Sequence, residues 1–212
     1  MRRLLAVSVG LVASLAACSS SSKASVSGGA TTTTPGTVSA VHLSLSGTTI
    51  ATTNTATTTI VTNMGTIVIK LDTKNAPKAA SRFIELARAG FYNGLTFHRI
   101  IPDFVIQGGD PTGTGNGTSG SPPVVGETPK DGYPIGSLAA AKTQTEPDGT
   151  FDCQFFIVTG SQGTQLPPQY ARFGMVTSGL DVVQKIGMLG SNDQEGTPTQ
   201  RVVMEKVTIS ES

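Results

Sequence analysis

The sequence predicts a mainly β domain, a closed or nearly closed β-structure with two helices over its ends. Two observations carry this. Across residues 59–212, short apolar runs with strand-like alternation recur between turns rich in Gly, Pro, Asn and Asp. Only two stretches, 76–90 and 180–188, carry the helical period, and they lie near the two ends of the domain. A barrel leaves both ends open, and two helices suffice to cover them.

Ahead of that domain, residues 1–17 read as an export signal. Met1, Arg2 and Arg3 make a cationic start, and 4–17 is an apolar run too short for a comfortable membrane span. The run ends in Leu15, Ala16, Ala17 and Cys18, which resembles the lipobox of bacterial lipoproteins. That resemblance implies cleavage before Cys18, lipid on its sulfur and an acylated new amino terminus. Several acyl chains hold a protein to a bilayer stably where one does not. The alternatives are an ordinary cleaved signal with Cys18 a bystander, or an uncleaved anchor; small residues leading straight into Cys and a Ser run favour the lipobox. The expected location is outside the cytoplasm, lipid-anchored to a bacterial cell membrane, with the protein a monomer. Cleavage removes two of the 15 Lys and Arg, leaving 13 against 14 Asp and Glu. A near-neutral chain without a basic run excludes nucleic acid as the expected partner. With Cys18 taken by lipid, Cys153 is left alone, so no internal disulfide is expected.

Residues 18–58 read as the lipidated Cys followed by a flexible tether. Ser and Thr fill 21 of the 40 positions from 19 to 58, too little apolar surface to offset the entropy of ordering. As a coil this segment reaches roughly 35 Å. Within it, Val41, Leu43 and Leu45 alternate with polar residues, a strand signal that an unstructured linker outweighs.

The domain opens with residues 60–71, read as two strands around an Asn63-Met64-Gly65 turn. Asn75, Ala76 and Pro77 open a helix, with Pro suited to its first turn. Ala80, Phe83, Ile84 and Ala87 fall on one face, and Gly90 is placed to end the helix. Residues 95–101 and 104–107 form two strands around Pro102-Asp103. The Gly/Pro-rich segment 110–133 has no period. Then come a small-residue strand at 135–141, a strongly apolar strand at 154–158, a loop at 166–170 and a strand at 172–176. The second helix, 180–188, turns Val182, Val183 and Ile186 inward, and alternation over 202–209 closes the chain as a strand.

The densest run of apolar and polar functional residues is 97–110. There, a guanidinium, an imidazole and a primary amide sit on strands whose other residues want burial. A half-buried Arg99 costs desolvation unless something uses it. It is either an ion-pair partner of Asp103 or Asp110, or a donor for a ligand. Gly115, Gly117 and Gly120 make a formal dinucleotide-binding pattern, but Pro122 and Pro123 follow at once and no helix can open there. No cofactor is therefore expected. Asn116-Gly117-Thr118 is a formal glycosylation sequon that bacterial export discounts. One His and one Cys in the domain make neither a metal ligand set nor an indicated nucleophile.

Phe97, His98, Arg99, Ile100, Ile101 and Pro102, followed by Phe104, Gln107, Gly108, Gly109 and Asp110, resemble the signature of the cyclophilin-type peptidyl-prolyl isomerases. The small-residue strand, Gln154-Phe155-Phe156-Ile157 and Phe173-Gly174 follow in that family's order, so the match spans residues 59–210. The resemblance implies an eight-stranded antiparallel β-barrel capped by two α-helices, with a substrate groove on its outside. It implies isomerisation of X–Pro bonds in exported or envelope proteins, with proline-containing polypeptides as substrates. Catalytic roles fall to Arg99, Gln107 and Phe104. His98, Val105, Ala141, Lys142, Gln154, Phe156, Leu166 and Tyr170 would line the groove. His98 reads equally well as a satisfied barrel histidine, and Phe104 and Phe156 as ordinary core were it not for the signature. Three positions depart from the family pattern. Gln165 stands where several members carry Trp, so cyclosporin binding is not implied. Lys142 replaces a common Asn, and Tyr170 a common His.

Overall fold

The computed structural model describes residues 55–191 and 195–212. The signal, Cys18, the tether up to residue 54 and the alternation at 41–45 lie outside them. Among the described residues the order is β1 (Ala56–Thr62), β2 (Gly65–Leu71), α1 (Pro77–Arg88), β3 (Phe97–Ile101), β4 (Val105–Gly108) and β5 (Val124–Val125). There follow β6 (Ser137–Ala140), β7 (Thr150–Phe151), β8 (Phe155–Val158), β9 (Arg172–Ser178), α2 (Leu180–Gly187) and β10 (Met204–Glu211).

Eight strands form one antiparallel sheet in the order β10-β1-β2-β9-β6-β8-β4-β3, while β5 and β7 pair separately. The sheet curls until its end strands meet: Thr96 bridges Val203, Phe97 N–H donates to the Val202 carbonyl (3.1 Å) and Met204 N–H to the Leu95 carbonyl (2.8 Å). This is the mainly β, two-helix architecture that the sequence predicts, with the two end strands joined at residues 95–97 and 202–204.

Inside, one apolar cluster joins both helices to the sheet. The α1 face Ala80, Phe83, Ile84 and Ala87 is buried as its spacing requires. Phe83 stacks on Tyr92 (4.9 Å between centroids) and meets Phe155 edge-on (5.5 Å). The helix ends where Gly90 adopts φ +74°, with Gly90 N–H donating to the Ala87 carbonyl and Phe91 N–H to Leu86. That paired reversal is a left-handed helix cap, and it explains why Gly stands there.

Some boundaries move. β1 begins at Ala56, three residues ahead of the expected domain start at 59. Ala56, Thr57 and Thr58 share the tether's composition but pair with both β10 and β2, and β-branched Thr fits a pleated sheet well. β6 starts at Ser137, leaving Ile135 39% exposed, and β10 runs on to Glu211. In α2, Val183 and Ile186 are buried, while Val182 is half-buried and covers Gly65, where a Cβ would sit 2.8 Å from it.

Candidate active site

The β3–β4 hairpin turns at Pro102-Asp103, and Asp103 holds φ +56°, a conformation Asp tolerates better than most residues. Its carboxylate accepts the Ser161 N–H and the Ser161 hydroxyl (both 2.7 Å), and its carbonyl accepts the Gln162 N–H (3.0 Å). Those hydrogen bonds from Ser161 hold the carboxyl below its usual range. The turn is thus latched to the loop that delivers Leu166.

Register then sets three side chains in a row. Arg99 pairs with Gln107, and Gln107 with Phe156, across β3, β4 and β8. Because successive side chains alternate faces, Ile100, Ile106 and Ile157 enter the main core while these three point the other way. They open onto a groove of about 650 Å³.

Its polar part holds His98, Arg99 and Gln107; its apolar part holds Phe104, Val105, Ala141, Phe156, Leu166 and Tyr170. Tyr170 meets Phe156 edge-on at 5.4 Å. Gln154 lies beside the groove, in an adjoining side pocket of about 210 Å³ that also takes in Gln107, Ala141 and Lys142. The structure therefore brings all eleven predicted residues to one surface.

Arg99 Nη1 donates to Gln107 Oε1 (3.4 Å), Gln107 Nε2 donates to Gln154 Oε1 (3.0 Å), and Gln154 Nε2 donates to the carbonyls of Gly115 (2.9 Å) and Gly117 (3.1 Å). Among the described residues Arg99 forms no ion pair. Asp103 is committed to Ser161, and Asp110 accepts the Thr112 N–H (2.7 Å), the Thr112 hydroxyl (2.8 Å) and the Gly115 N–H. Burial raises the Asp110 carboxyl, but these hydrogen bonds outweigh it and hold the group below its usual range. The ion-pair alternative for Arg99 is thereby removed. Burial lowers its guanidinium from the usual value, yet an arginine stays charged in a protein.

Lys142 lines the groove as well, with its ammonium tied down at the rim. Its side chain is 4% exposed, and Nζ donates to the carbonyls of Thr143 and Glu146 (both 3.1 Å). It braces the rim and lies 5.7 Å from the Tyr170 ring centroid. Gln165, where several family members carry Trp, is exposed, and its side-chain amide donates to the Thr164 hydroxyl (3.1 Å).

Both ring nitrogens of His98 are buried without a hydrogen-bond partner among the described residues. The satisfied-histidine reading is thus not what the structure shows. Burial is the main cause that lowers its pKa, with Asp110 opposing and Arg99 reinforcing the shift. A base with a depressed folded-state pKa binds fewer protons folded than unfolded. Stability is then full above the unfolded value of about 6.5 and falls as pH drops through the folded value. Urea unfolding between about pH 7.5 and pH 5 should show this loss in the native chain and lose most of it in His98→Gln. Asp103 and Asp110 add their own loss only near and below about pH 4, a separate window.

Sequence reasoning missed Tyr133. It is buried, donates its hydroxyl to the Tyr170 carbonyl (2.8 Å) and accepts the Tyr170 N–H (2.9 Å), so it fixes the groove's aromatic wall. It stands in a Gly/Pro segment without periodicity, which left no signal. Gly113, Thr114, Glu195 and Thr197 also line the groove, from loops far apart in sequence. No cluster of three His, Cys, Asp or Glu is placed to hold a metal among the described residues. The Cys153 thiol is buried, and that burial pushes its pKa up, away from reactivity. Chemically, the site offers a half-buried fork of donors beside an apolar pocket, with no activated nucleophile among the described residues.

A family model described as "Cyclophilin type peptidyl-prolyl cis-trans isomerase/CLD" matches residues 57–209. Peptidyl-prolyl cis-trans isomerase-like 1 of Homo sapiens is 43% identical over 141 residues, 63% of this chain and 81% of that protein. Peptidyl-prolyl cis-trans isomerase ppi1 of Schizosaccharomyces pombe is 39% identical over 139 residues, 63% of this chain and 86% of its own length. A crystal structure of a Cryptosporidium parvum cyclophilin type peptidyl-prolyl cis-trans isomerase superposes with TM-score 0.67 at 29% identity, covering 74% of this chain and 99% of that one. The same protein crystallised in the presence of the dipeptide Ala-Pro gives TM-score 0.66 at 30% identity, with the same coverage of both chains.

Proposed function

Because this chain belongs to the cyclophilin-type peptidyl-prolyl cis-trans isomerase family, we propose that Arg99 and the apolar pocket beside it catalyse X–Pro rotation in exported or envelope proteins. The observation that carries this is the row Arg99, Gln107, Phe156 on one face of three paired strands.

Rotation about an X–Pro amide has a barrier near 20 kcal/mol because it breaks resonance between nitrogen and carbonyl. In the twisted transition state the lone pair returns to the proline nitrogen. No bond to the protein is needed. What lowers the barrier is a donor held where that charge localises, plus a grip on the ring that lets the rest turn. Arg99 supplies the donor. Phe104, Phe156 and Leu166 grip the ring, and Tyr170 walls the pocket. Gln107, bonded to Arg99 and to Gln154, orients the guanidinium and meets the substrate backbone. The Ala-Pro crystal of the Cryptosporidium relative supports a proline dipeptide as the minimal ligand. A protease-coupled or NMR exchange assay on an X–Pro peptide tests the reading.

The setting rests on residues 1–58 of the chain. A signal ending in Leu15-Ala16-Ala17-Cys18 supports a lipid anchor, and the Ser/Thr-rich stretch supports a tether. The isomerase then works as a monomer within tens of ångströms of a bacterial membrane, roughly the reach of a 40-residue coil. Among the described residues no helix is long and apolar enough to cross a membrane. Mass spectrometry of the membrane fraction should find Cys18 as the first residue, diacylglyceryl-modified, and Cys18→Ser should release the protein. An unmodified Cys18 within a longer soluble chain would sink the anchor.

A further inference from the structure

We infer that the buried Arg82 and its ion-pair partner Asp152, outside the main groove, position Gln154 and through it Gln107 and Arg99. The inference rests on the site proposed above.

Arg82 lies on α1, and its side chain is 4% exposed. A guanidinium stays buried only if its donors are used. Here Nε donates to the Asp152 carbonyl (2.8 Å), and Nη2 donates to the Asp152 carboxylate (3.1 Å) and to the Ser119 hydroxyl oxygen (2.9 Å). The second carboxylate oxygen of Asp152 accepts the Ser119 N–H (3.0 Å), and the first accepts the Ser119 hydroxyl. Three segments are thereby tied at one point: the helix, the loop at Ser119 and the chain at Asp152.

Both sides of this clamp lead to Gln154. On one side, the carbonyls of Asp152 and Cys153 are held by Arg82 and by the Tyr92 hydroxyl (3.1 Å), and the next residue is Gln154. On the other side, Ser119 stands two residues beyond Gly117, whose carbonyl with that of Gly115 receives the Gln154 amide. The same ion pair therefore fixes the backbone that carries this side chain and the loop that it grips. With its amide spent on the loop, Gln154 presents Oε1 to Gln107, and Gln107 presents its own oxygen to Arg99. An apolar pair would fill the position of Arg82 and Asp152 at least as cheaply. Such a pair would leave the Gln154 amide free to rotate.

The test uses the full mature chain, with kcat/KM on an X–Pro peptide and the side-chain amide NMR signals of Gln107 and Gln154 as readouts. Arg82→Met and Asp152→Asn should each lower kcat/KM by about tenfold, as misplaced catalytic groups do. The two dispersed amide signals should collapse toward free-amide positions. Gln154→Ala should cost about as much, and adding Arg82→Met to it should cost less than about twofold more, because both act through one side chain. If Arg82→Met does not fold, Ser119→Ala removes one arm of the clamp and is read the same way. Lowered stability with kcat/KM and both amide signals unchanged would overturn the inference, as would fully additive losses with Gln154→Ala. Failure of the site itself looks different: Arg99→Ala would then keep wild-type activity.

Discussion

Arg99→Ala is expected to lower kcat/KM on an X–Pro peptide by about a hundredfold or more while the fold stays intact. The magnitude follows from removing a preorganised donor aimed at developing charge, which costs about 10²–10³ in turnover where it has been measured. The fold survives because the side chain is half-buried, forms no ion pair among the described residues, and reaches only Gln107 by a 3.4 Å bond. Substitutions away from core, caps and buried networks stay within about 0.5 kcal/mol, so the unfolding midpoint should hardly move. A matching loss of stability and activity would mean that Arg99 is structural.

Phe156→Ala should act on both readouts. Phe156 is 5% exposed, lies edge-on to Tyr170 at 5.4 Å and tilted to Tyr133 at 6.4 Å. Emptying a buried Phe costs about 3–5 kcal/mol, and the open groove on one side puts this position near the lower end. The effect on substrate is separable. A proline ring carries three methylenes beyond the backbone, and at about 0.8 kcal/mol per buried CH₂ the pocket grips it by about 2.4 kcal/mol. Losing one wall forfeits around half of that, so KM should rise about tenfold with a smaller change in kcat. Phe156→Leu, which keeps an apolar wall, should fall between the two.

Much of this was legible in the sequence because the relevant signals are local. The α1 face, its Gly90 stop and the Pro102-Asp103 hairpin follow from periodicity and turn chemistry within a dozen residues. The groove was legible through the family signature that Arg99, Phe104 and Gln107 stand in; without it Phe104 and Phe156 read as ordinary core, and the pairing of β4 with β8 is what brings Phe156 to their side. Other features depend on packing between distant segments. Thr57 and Thr58 look like tether, and only pairing with β10 and β2 makes them strand. Tyr133 holds Tyr170 by two hydrogen bonds across 37 positions. Arg82 sits beside the predicted apolar face of α1, where a charge reads as solvated; Asp152, 70 positions on, makes it a buried one. Lys142 lines the groove as expected, but that its ammonium is held by the carbonyls of its own loop was not legible.

The most direct test of the whole account is the isomerisation rate of an X–Pro peptide, read by NMR exchange, with the mature wild-type chain and with Arg99→Ala. The account predicts catalysis well above the uncatalysed rate by the wild type, and loss of at least about two orders of magnitude of it in the variant. Peptide that binds in the groove without any acceleration would contradict it, and would make this chain a proline-segment binder.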